Sequence, residues 1–117
     1  MSNGSIDIWG SGEQTRSFLY IDDCIDGTIA LMNSNESGPF NIGSTEMVSI
    51  NDFIAIIGSI EKKVFSINRI SGPTGVIGRN SNNDLVNQKI GWSPKVTLSD
   101  GIERTYFWIK SVIDNKI

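Results

Sequence analysis

The chain has 117 residues, a formal net charge of −3 and 38% hydrophobic residues, which suits one small domain or a piece of a larger one. It contains no histidine and one cysteine, Cys24, which excludes Ser-His-Asp and Cys-His catalysis, imidazole metal sites, an internal disulfide and a multi-cysteine zinc site. No run reaches the roughly 18–20 apolar residues of a membrane helix, no basic stripe exists to bind nucleic acid, and the first residues lack the basic and apolar regions of a signal peptide.

In chain order, Ile6, Ile8 and Trp9 predict a first strand ending at the Gly10–Gly12 turn. Phe18 to Ile21 reads as a second short extended run, and Asp22 then suits a helix N-cap. Ile25, Ile29 and Met32 fall at i, i+4 and i+7, one face of a helix expected to end near Asn33. Asp23 and Asp26 lie in its first turn, where the helix dipole favours anions. "SNESGPF" is loop material and "FNIGS" reads as a strand. Ser49-Ile-Asn-Asp52 spells a capping box with Asp in its last place. The helix it opens carries Phe53, Ile56, Ile57 and Ile60 on one side. "KVFSINRI" alternates as a strand does. A glycine- and asparagine-rich loop follows, and Asp84 is placed as the cap of a short helix ending at Gly91. Trp92 and Pro94 sit in a turn. The last helix starts near Thr97 or Ser99 with Ile102, Tyr106, Ile109 and Ile113 on one stripe. No repeat, low-complexity tract or domain linker is visible. The expected fold is α/β: a small mixed α+β lobe of short strands and about four helices, without a complete doubly wound sheet.

Two motifs invite chemistry and do not hold it. Gly72-Pro-Thr-Gly75-Val-Ile-Gly78 spells GxxGxxG, close to a dinucleotide fingerprint. In that fingerprint a helix begins within the glycines and its N–H groups face the pyrophosphate. Here the glycines lead into "RNSNN", a poor helix start, so a surface loop is expected. Tyr106 and Lys110 spell YxxxK, which puts a phenol and an ammonium one turn apart. Tyr106 lies in the apolar stripe, and Lys110 can run its stem along the surface with its charge in water. A core tyrosine with a snorkelling lysine is expected.

Arg16 follows a glycine turn, and Arg79 ends a glycine-rich loop. A guanidinium fork matches phosphate geometry, and glycine lets backbone approach a ligand. Two such arginines from separate loops can clamp a diphosphate. The plainer alternative pairs each with one of the 13 acidic residues. Gln14 and Thr15 offer an amide and a hydroxyl to a polar ligand such as a sugar, and are equally ordinary turn residues. Asn80, Ser81 and Asn82 suit Asx-type turns. Arg69 and Arg104 read as surface charges and Cys24 as a small core residue.

"WGSGEQTRSFLYIDDCIDGTIALM", "FNIGSTEMVSINDF" and "GPTGVIGRNSNNDLVNQKIGWSPKVTLSDGIERTYFWIK" resemble the C-terminal part of extended short-chain dehydrogenase/reductases, the NAD-dependent epimerase/dehydratase family, within it the GDP-mannose 3,5-epimerase branch. The resemblance covers essentially the whole chain. It implies that residues 1–117 form a substrate-binding lobe, that a preceding NAD-binding Rossmann domain with the catalytic residues is absent, and that the chain alone is inactive. It implies a GDP-mannose-like nucleotide sugar as ligand, bound by Gln14, Thr15, Arg16 and Arg79, with NAD held by the other domain, no cofactor or metal in this chain, a homodimer for the whole family protein and a cytoplasmic setting. Ile77 stands where the epimerase often carries an arginine, which weakens the GDP-mannose assignment but not the superfamily. A UDP-sugar 4-epimerase, a dTDP-glucose dehydratase and a non-catalytic interaction lobe stand as alternatives.

Overall fold

The computed structural model describes residues 4–116, in the order β1 (Ser5–Trp9), β2 (Thr15–Ser17), α1 (Ile21–Met32), β3 (Met47–Ser49), α2 (Ile50–Glu61), β4 (Ser66–Ile70), β5 (Gly78–Arg79), α3 (Asp84–Ile90) and α4 (Leu98–Asp114). The strands form two small open sheets. β1 pairs with β4 in parallel, Ile6 opposite Ile67 and Ile8 opposite Arg69. β2 lies between β3, antiparallel, and β5, parallel. This is the mixed α/β lobe with four helices that the sequence predicts.

Caps decide where most helices start and stop. Ser49 Oγ accepts the Asp52 N–H at 3.0 Å and opens α2, as the capping box requires. Thr97 Oγ1 does the same for Asp100 at 3.3 Å and opens α4. α3 ends on Gly91 in the left-handed region, whose N–H donates to the Asn87 carbonyl. α2 ends less comfortably, on Lys62 at φ 57°, a conformation that side-chain-bearing residues adopt at a cost.

Four local expectations give way. The second strand is Thr15–Ser17 rather than Phe18–Ile21, and Ile21 already begins α1. Tyr20, not Asp22, holds the N-cap position and makes no side-chain cap bond, because Asp22 lies inside the first turn. "FNIGS" forms no strand; the ladder partner of β2 is Met47–Ser49. A strand exists only by pairing, and the backbone bonds seen in that segment are those of Gly43 and Ser44 to the 81–83 turn. Asn83, not Asp84, precedes α3, and Asn82 Oδ1 accepts the Asp84 N–H at 3.0 Å.

The largest departure is the seating of α1. Its apolar stripe faces solvent: Ile25 is 46% exposed, Ile29 50% and Met32 78%. The buried positions are Asp23 and Gly27, about 200° around the helix from Ile21 and Ile25 at 100° per residue. The inward face is fixed by one carboxylate and one gap. Asp23 Oδ2 accepts the backbone N–H groups of Lys95 (3.1 Å) and Val96 (2.9 Å). The Asp23 carbonyl accepts Trp92 Nε1–H at 3.1 Å. The Trp92 ring fills the space over Gly27, where an added Cβ would sit 2.9 Å from Cε2. Trp92, in the connection between α3 and α4, is thus also a core residue, alongside Ile8, Val48, Ile54, Val86 and Ile102.

Candidate functional site: an arginine pair beside a glycine strap

The segment from Trp9 to Arg16 and the segment from Gly72 to Arg79 lie against each other. The Thr15 N–H donates to the Ile77 carbonyl at 2.8 Å, and β2–β5 pairing sets Thr15 opposite Gly78 and Arg16 opposite Arg79. Each contact needs a residue without a side chain. An added Cβ would lie 2.5 Å from Trp9 Cγ at Gly72, 3.2 Å from Arg16 Nη2 at Gly75 and 2.7 Å from Thr15 Oγ1 at Gly78. In return, Thr74 Cγ2 would stand 2.6 Å from a Cβ at Gly10. The GxxGxxG spacing therefore serves a strap laid over β1 and β2. It leads into β5 and not into a helix, and its glycine spaces are filled by this chain's own side chains, so this loop does not fit a dinucleotide.

Parallel register puts facing side chains on the same side of a sheet, with strands about 4.8 Å apart. Arg16 and Arg79 accordingly project from neighbouring strands toward one face. Arg16 Nη1 donates to the Thr15 carbonyl at 2.6 Å and Nη2 to the Thr74 carbonyl at 2.8 Å. Arg79 is exposed. Among the described residues neither arginine is paired with a carboxylate, so the ion-pair alternative is not what the structure shows. Like charges directly opposite on neighbouring strands are destabilising, and an anion bound between Arg16 and Arg79 would offset that.

Gln14 precedes β2 with the parity of Arg16; its Nε2 donates to the Trp9 carbonyl at 3.1 Å, leaving the amide oxygen. Thr15 alternates to the opposite face, where its hydroxyl lies over Gly78. The structure thus brings Arg16 and Arg79 together and turns Thr15 away. Ile77 is 87% exposed at the entrance to β5.

Two residues read from sequence as surface charges have partners. Arg69 Nη1 donates to the Ser11 carbonyl and to Asn51 Oδ1 (3.3 Å), tying β4 to the glycine turn. Arg104 lies 5.6 Å from the Tyr20 ring centroid. Asp23 was the important omission: its sequence signal, an acidic residue in a first helical turn, pointed to the dipole rather than to burial. Tyr106 is edge-on to Phe107 at 5.4 Å, and Lys110 is exposed.

Two grooves open elsewhere. One, of about 810 Å³, is polar and lined by residues such as Ser44, Asn80, Asn83, Asn87 and Lys95. The other, of about 860 Å³, is apolar and runs between Phe18, Phe53, Ile57 and the Ile102–Ile109 side of α4. Neither is lined by Arg16 or Arg79.

Comparison with known proteins places this geometry. The model of the NAD dependent epimerase/dehydratase family matches residues 1–43. GDP-mannose 3,5-epimerase of Arabidopsis thaliana is 46% identical over 98% of this chain, and UDP-glucuronic acid decarboxylase 1 of Xenopus tropicalis is 33% identical over 93%. The chain spans 30% and 26% of the length of these relatives. Among solved structures, UDP-glucuronic acid 4-epimerase from Bacillus cereus, in complex with UDP-glucuronic acid and NAD, superposes with a TM-score of 0.86 at 35% identity, covering 92% of this chain and 36% of that one. In sequence and in fold, the chain is therefore similar over nearly all its length to one segment of the NAD-dependent epimerase/dehydratase enzymes, GDP-mannose 3,5-epimerase among them.

Proposed function

We propose that this chain is the nucleotide-sugar-binding lobe of an NAD-dependent sugar-nucleotide epimerase of the GDP-mannose 3,5-epimerase kind. The observation that carries the proposal is the pairing of Arg16 with Arg79 on one sheet face, without carboxylate partners. Arg16 and Arg79 hold the diphosphate, Gln14 offers its amide oxygen to a sugar hydroxyl, and Thr15 shapes the strand from the opposite face. NAD and the groups that do the chemistry belong to residues outside this chain, so residues 1–117 bind without turning over. The exposed α1 stripe supports the same reading, because contiguous apolar surface marks a contact. The whole protein is read as a homodimer in the cytoplasm; among the described residues no helix is long and apolar enough to cross a membrane.

Calorimetric titration of the chain with GDP-mannose, UDP-glucuronic acid, GDP, GMP and NAD tests this. Diphosphates should bind and GMP should bind much more weakly. Arg79→Ala should weaken GDP binding about 10- to 100-fold, from the loss of about 1.5–3 kcal/mol of charged hydrogen bonding. Equal GDP affinity in Arg79→Ala, or NAD binding tighter than GDP-mannose binding, would overturn the proposal. The ranking of GDP- against UDP-sugars decides between the epimerase branch and its UDP-sugar alternatives.

A further inference from the structure

We propose that Gly75 is a positioning residue for the diphosphate site: the strap from Gly72 to Gly78 aims the guanidinium of Arg16, and Gly75 is what lets it do so. The proposal rests on the diphosphate reading given above. A guanidinium has five N–H donors in a rigid fork. Two of the Arg16 donors are spent on backbone carbonyls, one on its own strand and one on the strap at Thr74. Two fixed acceptors fix the plane of the fork, and the remaining donors point where that plane directs them. The strap is held in turn by Thr74 over Gly10, by Gly72 under Trp9 and by the β2–β5 ladder.

Gly75 sits at the contact. Its φ is +72°, a conformation side-chain-bearing residues rarely adopt, and a Cβ there would press on Arg16 Nη2 at 3.2 Å. A methyl at this position strains the turn and pushes on the guanidinium at once. Because Gly75 presents no side chain of its own, its effect on ligand affinity passes through Arg16.

The test uses the whole chain with isotope-labelled arginine. Rotation of the Arg16 guanidinium about its Cζ–Nε bond is read by NMR, and GDP affinity by calorimetry, in the unaltered chain, Gly75→Ala, Arg16→Ala and the double variant. The expected result is slow rotation in the unaltered chain, faster rotation in Gly75→Ala, and GDP binding weakened about 10- to 100-fold, as for one charged hydrogen bond lost from alignment. In the Arg16→Ala background, Gly75→Ala should change GDP affinity by less than about twofold, since coupled residues are non-additive. Unchanged rotation in Gly75→Ala, or an equal loss of affinity with and without Arg16, would overturn the proposal while leaving the diphosphate reading intact. An unaltered chain that binds no GDP would overturn the diphosphate reading and this proposal together, whatever the rotation shows. If Gly75→Ala loses its far-UV circular dichroism, Thr74→Ala replaces it; freeing the strap from Gly10 should shift both readouts the same way, and no shift in either would overturn the proposal.

Discussion

Replacing Asp23 should be costly. Asp23 is 3% exposed, and its Oδ2 is the acceptor for two backbone N–H groups 72 and 73 residues away, at 3.1 and 2.9 Å. Each bond to a carboxylate is worth about 1.5–3 kcal/mol, and a buried donor left alone pays its desolvation. Two such bonds give about 3–6 kcal/mol. Lys95 is exposed and Val96 half-buried, so water recovers part of this, and Asp23→Ala should cost about 2–4 kcal/mol. A domain of this size has roughly 5–15 kcal/mol in total, so the loss is a large fraction of it. Asp23→Asn keeps an acceptor oxygen but can turn an N–H toward another N–H, and should cost about 1–3 kcal/mol. Urea unfolding measures both. With a slope of about 2 kcal/mol per molar, the midpoint of Asp23→Ala should fall by about 1–2 M with the slope unchanged. A midpoint within about 0.3 M of the parent would mean that α1 is not held by this carboxylate, and the account of its seating would fail.

Three further outcomes are expected. Ser49→Ala should destabilise by about 1 kcal/mol through loss of the α2 cap, measured in the same urea series, with Ser59→Ala inside the helix as a neutral control. Lys62→Gly should stabilise by about 0.5–1 kcal/mol by relieving the left-handed residue that ends α2; a loss of stability would contradict that backbone assignment. Ile25→Gln and Ile29→Gln should each change the stability of the chain by less than about 0.5 kcal/mol, as exposed positions do, and should lower self-association in light scattering. A loss of several kcal/mol at either position would show that the stripe is buried after all.

Particular elements show what kind of information a sequence carries. The Ser49 and Thr97 caps and the Gly91 stop were legible because each rests on bonds spanning a few residues. The β1 and β4 strands were legible from alternation. "FNIGS" was not, because alternation gives a segment's preference for a sheet but not the presence of a neighbour. The α1 stripe misled for a related reason. Periodicity finds the apolar face of a helix and assumes that this face is covered, whereas Asp23 and Gly27 turn the opposite face inward to meet Lys95, Val96 and Trp92. The candidate ligand groups divided in the same way. That Arg16 and Arg79 suit phosphate followed from their chemistry, and that they are neighbours followed only from the β2–β5 register.

The amino-acid sequence by itself determined the mixed α/β class, the Ser49 and Thr97 caps and the Gly91 stop, the exclusion of histidine-based chemistry and the resemblance to sugar-nucleotide enzymes, because composition, spacing and local hydrogen bonds are written along the chain. The tertiary structure alone decided that Arg16 and Arg79 share a face, that the three glycines of the strap make room for Trp9, Arg16 and Thr15, and that α1 is held by a buried carboxylate. These depend on segments about sixty to seventy residues apart meeting in one register, and only the folded chain sets that register.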